Sequence, residues 1–504
     1  MSVAPFVRWR PHLLAGSVCL GLAAANLIRP HAAEVVVLLT PLVVIGWTFD
    51  GQARLVVLAI VLMGLGCWWG SVRLRALDRS VLATRIGHVD ETIAEVTGPA
   101  RRGQFDLRVP VRVRSFGSLV VSEPALLHLP LGRSPPQGTI MSTVAEAKPP
   151  RPEKDGFDER GWLRRQGIHV VLHGREWRAL GKRGGIAGIA DHLRAWLSAG
   201  VAPGLHGERA AVIAGIVLGS DEGLSQGLRD RFRNSGLYHL LAVSGQNVAI
   251  IAGGMLLLAW LLAIPRWAGE LGVLAAIAAY VFAVGLQPSV VRAGIAGALA
   301  SLAWLASRPR DRWYFLLVGA AALLAWNPYS VLEPGFQLSF AAVASIFVLV
   351  PLIEQRLEGY PLPRWLSSML AVSAACGAVT APILWLDFGR VPLLSVLANV
   401  LAEPAMPPLL GLGLISAVVH PLLPGVAASI AWVNGWLAAY LAGCARLVGG
   451  IPHAQVSSLR ALVMLVAAAV LAWATARLHR PRLTRAAELC GAGLALAAAW
   501  QLSG

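Results

Sequence analysis

Residues 236–251 read GLYHLLAVSGQNVAII and set His239, Ser244, Gly245, Gln246 and Asn247 into an otherwise apolar run. An imidazole can exchange a proton near neutral pH, and a serine hydroxyl becomes a nucleophile once a base takes its proton. That pairing fails on spacing. His239 and Ser244 are five apart, on different helical faces, and no GxSxG elbow or carboxylate pair supports hydrolysis, so no enzyme is expected. The remaining chemistry is passive. A Ser-Gly step lets a helix unwind and bares backbone N–H and C=O groups, while the Gln246 and Asn247 amides both donate and accept. On an unbroken helix His239 and Gln246, seven apart, would share a face. Arg292 in QPSVVRAG, Gln337 in EPGFQLSF and Asp387 in LWLDFG place further polar groups in apolar surroundings. Such groups are costly in hydrocarbon unless paired, and they usually face a cavity or one another. Interhelical hydrogen bonding would explain them as glue. A discontinuous helix lining a polar path explains the break as well.

The elements that must position these residues are membrane helices. The chain has 504 residues, 56% hydrophobic and 14% charged, where a soluble domain is about a quarter charged. Charge-free runs cover Leu13–Ile28, Val35–Phe49 and Leu55–Ser71 and recur from Leu237 onward. At about 20 residues per crossing they give about ten to thirteen spans. The fold class expected is a polytopic α-helical membrane protein with a small all-β domain inserted. Arg8, Arg10 and the apolar run ending in Ala23-Ala24-Ala25 have the outline of a signal peptide. Two more spans follow closely, so the first is expected to be retained. The five cysteines all lie in apolar segments without CxxC spacing, which indicates neither a disulfide framework nor a zinc site. His169 and His173 would stand about 13 Å apart along a strand, too far to share an ion. No metal or cofactor is expected.

Three parts emerge: residues 1–72 with the first spans, 73–204 with the only sizeable polar region, and 205–504 with the main membrane domain. Net charge is +16, and the 21 Lys+Arg against 13 Asp+Glu between Arg73 and Gly204 contribute +8 of it. That excess points to an anionic partner, nucleic acid or lipid headgroups. In FDLRVPVRVRSF, Phe105, Leu107, Val109, Val111 and Val113 alternate with polar residues, a period-two strand that Pro110 places at an edge or bulge. Other short alternating runs, separated by Gly- and Pro-rich breaks, suit a small barrel or sandwich. Arg108, Arg112 and Arg114 lie on one face of the strand, at a spacing that can track a phosphate backbone or simply be solvated. Phe105, Phe116 and Trp177 are the aromatics available for base stacking, although such residues more often pack a core. GIADHLRAWLSAG and GLSQGLRDRFRNSG are amphipathic, with Ile189, Leu193, Trp196 and Leu197 on one apolar face and Leu224, Leu228 and Phe232 on the other helix's. Both have the outline of helices lying in the membrane interface.

The basic loops SRPRDR (Ser307–Arg312) and HRPR (His479–Arg482) fix the cytoplasmic side. Counting crossings from them puts the N-terminus inside and residues 73–204 outside, with Gln246 and Asn247 about 15 Å below the outer surface.

GLYHLLAVSGQNVAII resembles the HLLAVSG signature of the ComEC family, bacterial inner-membrane channels for DNA uptake in natural transformation. GFDERGWLRRQGI, IVLGSDEGLSQGLRDRFRNSGL, QPSVVRAGIAG, NPYSVLEPGFQLSFAAVASI and APILWLDFGRVPLLSVLANVLAEPAMPP resemble further blocks of that family in the same order, covering most of residues 85–480. The resemblance implies an external OB-fold domain that meets DNA and a membrane domain that passes a single strand. Arg108, Arg112, Arg114 and Trp177 are the candidate contacts on the first, and His239, Ser244, Gly245, Gln246, Asn247, Arg292, Gln337 and Asp387 are the polar residues that would line the path through the second. The partners implied are single-stranded DNA, the lipid bilayer, a cytoplasmic motor or single-strand-binding protein, and a separate nuclease. Two departures stand out. Gln246-Asn247 replaces the Leu-His that many members carry, so a histidine role there is not carried over. No HxHxDH run is present, so a short form without the metallo-β-lactamase-like domain is expected. The alternative function is a secondary transporter of a small anion or lipid intermediate with a broken-helix site, which would call for an internal repeat that residues 205–504 do not display.

Overall fold

A computed structural model describes residues 4–103, 105–153, 158–285, 288–307, 311–452 and 454–460, with 463–464 and 493 beyond them. The chain packs as two compact units. One compact unit joins residues 1–199 with 244–336, and the other joins 200–243 with 337–504. The chain passes from one to the other between Val243 and Ser244, inside the polar stretch.

The first unit begins with α1 (Ala4–Ala24), α2 (Ala32–Thr48) and α3 (Gly51–Leu77). A barrel follows, made of β1 (Val89–Val96), β2 (Arg101–Arg102), β3 (Asp106–Phe116), β4 (Leu119–Pro130), β5 (Thr139–Lys148) and β6 (Val171–Lys182). The strand order is β1-β5-β6-β4-β3-β2, and β1 also pairs with β3, which closes the sheet. β4 and β6 run parallel. The period-two strand is confirmed over Leu107, Val109, Val111 and Val113, which are buried while Arg108, Arg112 and Arg114 are exposed. Phe105, expected in the same alternation, precedes the strand and is exposed, and Phe116 turns inward after a register shift between Val113 and Ser115. Pro110 is expected at an edge or a bulge, but β3 has partners on both sides and is not an edge strand. Its last partner on β1 is Val111, opposite Val96, so Pro110 sits where no donor is needed from it. The Pro110 carbonyl still accepts from Thr97 N at 2.9 Å.

Helix α4 (Glu159–Arg165) precedes β6 and is capped by Asp158, which accepts from Gly161 N at 2.9 Å. This segment docks on the spans. Asp78, at the end of α3, receives Arg29 Nη1 at 2.6 Å, Arg164 Nε at 2.9 Å and the Tyr329 hydroxyl at 3.0 Å. Asn327 Nδ2 donates to the Arg165 carbonyl at 2.8 Å, and His169 Nε2 lies 2.8 Å from the Leu77 carbonyl. Three chain segments distant in sequence therefore close on the carboxylate of a fourth. The unit continues with α5 (Gly185–Gly200), then α8 (Gly245–Leu261), α9 (Arg266–Val284), α10 (Pro288–Leu305) and α11 (Arg312–Trp326).

The second unit contains α6 (Gly207–Leu218), α7 (Gln226–Ser235), α12 (Pro334–Leu357), α13 (Arg364–Phe388), α14 (Ser395–Ala402), α15 (Met406–Val419) and α16 (Pro424–Gly449). The apolar face of α7, expected to meet the membrane interface, is covered by protein. Leu224, Leu228 and Phe232 are all buried, and α7 packs against α16. The fit leaves no spare room: a Cβ on Gly449 would meet the Arg231 carbonyl oxygen at 2.3 Å, and Arg231 Nη1 donates to Gly449 O at 3.0 Å.

Among the described residues six helices are long and apolar enough to cross a membrane, at 51–85, 266–284, 334–357, 364–388, 395–419 and 424–449. Four shorter apolar helices accompany them. This is a multi-pass helical membrane protein with a small sheet domain. Cys19, Cys67, Cys376 and Cys444 are free thiols; Cys490 and the HRPR cluster lie outside the described residues.

Candidate functional site

The polar stretch is broken where the Ser-Gly step predicts. Leu237–Leu240 form one 3-10 turn, and α8 starts at Gly245 with Ser244 as its N-cap. Ser244 Oγ accepts from Gln246 N at 3.3 Å and donates to Asn247 Oδ1 at 3.4 Å. The helix is interrupted, as the discontinuous-helix reading expects, so the face that His239 and Gln246 would share on an unbroken helix does not form. Helix α8 has 17 residues, which rise about 25 Å.

Within the first unit, Asn247 is 1% exposed and its Nδ2 donates to the Tyr280 hydroxyl of α9 at 3.1 Å. Asn247 thus ties the start of α8 to α9, while Ser244, Gly245 and Gln246 are half-buried. Arg292 of α10 reaches the same place: a Cβ on Gly245 would lie 3.7 Å from Arg292 Nη2. The stem of Arg292 rests against α11, where a Cβ on Gly319 would be 3.5 Å from Arg292 Cγ. A helix N-terminus carries unsatisfied N–H groups and about half a positive charge. A guanidinium beside it gives the first unit a positively polarised spot suited to an anion. Tyr280 was not singled out from sequence, although a tyrosine in AAIAAYVFAV is itself a polar signal in an apolar span.

In the second unit, His239 is exposed and its Nδ1 lies 2.8 Å from Gly236 O. Gly236 has φ 79°, and a Cβ there would meet Ser395 Cβ at 2.7 Å, so glycine is required twice over. Tyr238 donates to Asp221 Oδ2 at 2.9 Å, and Arg229 Nη2 donates to the Asp221 carbonyl at 2.7 Å. The blocks SDEGL, LRDRF and GLYH therefore fold as one polar cluster. Gln337 is half-buried in the first turn of α12, and Asp387 is exposed in the last turn of α13.

On the barrel, Arg108 lies 3.5 Å from Asp106, and Arg114 pairs with Glu95. Arg101 and Arg102, missed from sequence, pair in register with Arg108 and Leu107. Phe116 is core and offers no stacking face. Trp177 packs half-buried against the barrel core, donates to Arg133 O at 3.1 Å, and has the Arg133 guanidinium 6.0 Å from its ring. Phe105, 80% exposed, is the freely presented aromatic of the three. His128, opposite Arg108 and beside His173, sits 2.8 Å from Asp106, and burial pulls its pKa down to about 4. Among the described residues no group of three or more His, Cys, Asp or Glu could hold a metal ion.

A family described as "Competence protein" matches residues 216–482, more than half of the chain. The chain is 30% identical over 174 residues to ComE operon protein 3 of Bacillus subtilis (strain 168), covering 34% of this chain and 22% of that protein. It is 28% identical over 277 residues to Competence protein ComA of Neisseria gonorrhoeae, covering 49% of this chain and 36% of that one. It is 27% identical over 204 residues to Uncharacterized protein YcaI of Escherichia coli (strain K12), covering 38% and 27%. The matched stretch is thus well under half the length of each of these relatives. No solved structure matches the chain.

Proposed function

The chain belongs to the competence protein family, and on that premise we propose that it is a channel passing single-stranded DNA across the bacterial inner membrane in natural transformation. The observation that carries this reading is the start of α8, where a broken helix, the half-buried Ser244, Gly245 and Gln246, and Arg292 stand together in apolar surroundings. Helix N-terminus and guanidinium take the place of water around a phosphodiester as it passes. A single cation holds a polyanion weakly, which conduction requires. His239, Gln337 and Asp387, in the second unit, are the further polar residues expected to meet the strand, and Asn247 with Tyr280 holds α8 in place.

The barrel is read as OB-like and extracytoplasmic. Closure in the order β1-β3-β4-β6-β5 and the outward arginines of β2 and β3 support that reading. Arg101, Arg102, Arg108 and Arg112 would gather the strand by counterion release, so capture weakens with salt. Phe105 is the stacking candidate in place of Phe116 and Trp177. A cytoplasmic motor or single-strand-binding protein would draw the strand in, a separate nuclease would remove its complement, and the chain itself performs no covalent chemistry.

The test is complementation. A transformable strain deleted for its own competence channel, supplied with this chain, should regain uptake of labelled DNA into the cytoplasm. The Arg292→Ala variant at equal protein level should not. Uptake that never returns, or that is indifferent to Arg292, sinks the proposal.

A further inference from the structure

Helices α5 and α7 carry the same amphipathic signature, yet only α7 finds a protein partner for its apolar face. On α5, Leu197 is buried, but Ile186 is 74%, Ile189 63% and Trp196 37% exposed. At 100° per residue, Ile186, Ile189, Leu193 and Trp196 fall along one edge, with the buried Leu197 beside Ile186; Asp191 lies opposite that edge and Arg194 on the flank beyond Leu197. Those two polar groups are committed to the protein. Asp191 pairs with Arg183 and accepts from Gln137 Nε2 at 2.8 Å, which ties α5 to the barrel. Arg194 Nη1 donates to the Ala283 and Val284 carbonyls at 3.2 and 3.0 Å, the last of α9.

That second tie fixes the level of α5. α9 is 19 residues long and apolar enough to cross the membrane, so its final carbonyls lie where hydrocarbon gives way to headgroups. Phe282, in the same last turn, is exposed, so the apolar surface of the span continues to the point where α5 crosses it. A tryptophan at that level is the side chain most at home in an interface.

We propose that α5 lies in the interfacial zone of the bilayer, on the side that carries the barrel. Ile186, Ile189 and Trp196 enter among the first carbons of the phospholipid acyl chains, and the helix is a lipid-seated footing for the barrel. The occupant of this edge is lipid because Arg194 holds the edge at the height where lipid begins. This inference is independent of what the chain conducts.

The test is site-directed spin labelling of the full chain in phospholipid nanodiscs, in a background with the five native cysteines replaced. Single cysteines are placed at Ile186, Ile189 and, on the polar side, Ser198. Labels at 186 and 189 should collide with oxygen in preference to a water-soluble nickel chelate, at a depth of about 5–10 Å below the headgroup boundary. The label at 198 should show the reverse preference. Equal nickel access at 189 and 198 would mean that the edge faces water. Low access to both reagents at 186 and 189 would mean that another protein surface, such as a second copy of the chain, covers it. Either result overturns the proposal.

Discussion

The barrel face and the start of α8 both present arginine, in opposite surroundings. On the barrel, Arg101, Arg102, Arg108, Arg112 and Arg114 stand in water, and two of them already face carboxylates. Exposed charges of this kind are screened and individually weak. At α8 one guanidinium stands beside one helix terminus among apolar helices, where the lower dielectric strengthens each polar interaction. Capture on the barrel is therefore expected to be additive and salt-dependent, whereas passage at α8 rests on single groups.

The sharpest break of that contrast is Arg292→Ala. Loss of one hydrogen bond involving a charged group predicts a fall in labelled-DNA uptake of roughly 10- to 100-fold at equal protein level. A fall no greater than that of a barrel variant would erase the difference between the two regions. Asp78→Ala comes next, because it strands Arg29, Arg164 and Tyr329 at the mount between barrel and spans. A loss of about 2–3 kcal/mol is expected from thermal unfolding in nanodiscs, with Asp78→Asn intermediate.

Acid should also weaken the barrel. His128 has its pKa lowered in the folded state, to about 4, against about 6.5 unfolded. As pH falls through that window the unfolded chain takes up a proton that the folded barrel refuses, so stability drops. His128→Gln should flatten this slope in melts recorded across the window, and an unchanged slope would move the cause elsewhere. The smallest effect belongs to Arg112→Ala. Single-strand affinity of the full chain should fall a few-fold at low salt, and the log–log salt slope should shrink by about one.

What the sequence disclosed was local. Period two in β3, the Ser-Gly break before α8 and the long apolar runs each report on neighbouring residues, and each appears in the fold. What it withheld was non-local. Asp78 and Tyr329 meet across 251 positions, and nothing near either residue announces the other. Amphipathicity showed that α5 and α7 each have an apolar face, but whether lipid or α16 covers it depends on the packing of distant helices. Pro110 misled for a related reason: its tolerance depends on where β1 ends, 14 residues earlier in the chain. Phe116 and Phe105 are equally aromatic in sequence, and only closure of the barrel sends one inward and leaves the other out.

The most direct test of the α8 path places a photocrosslinking amino acid at two positions of that one helix during uptake of labelled DNA. Position 246 lies at the break, and position 260 is the outward-facing tryptophan near the far end. Adducts with DNA at 246 and none at 260 are predicted. DNA that still reaches the cytoplasm while neither position, or only 260, forms an adduct would contradict passage along the start of α8.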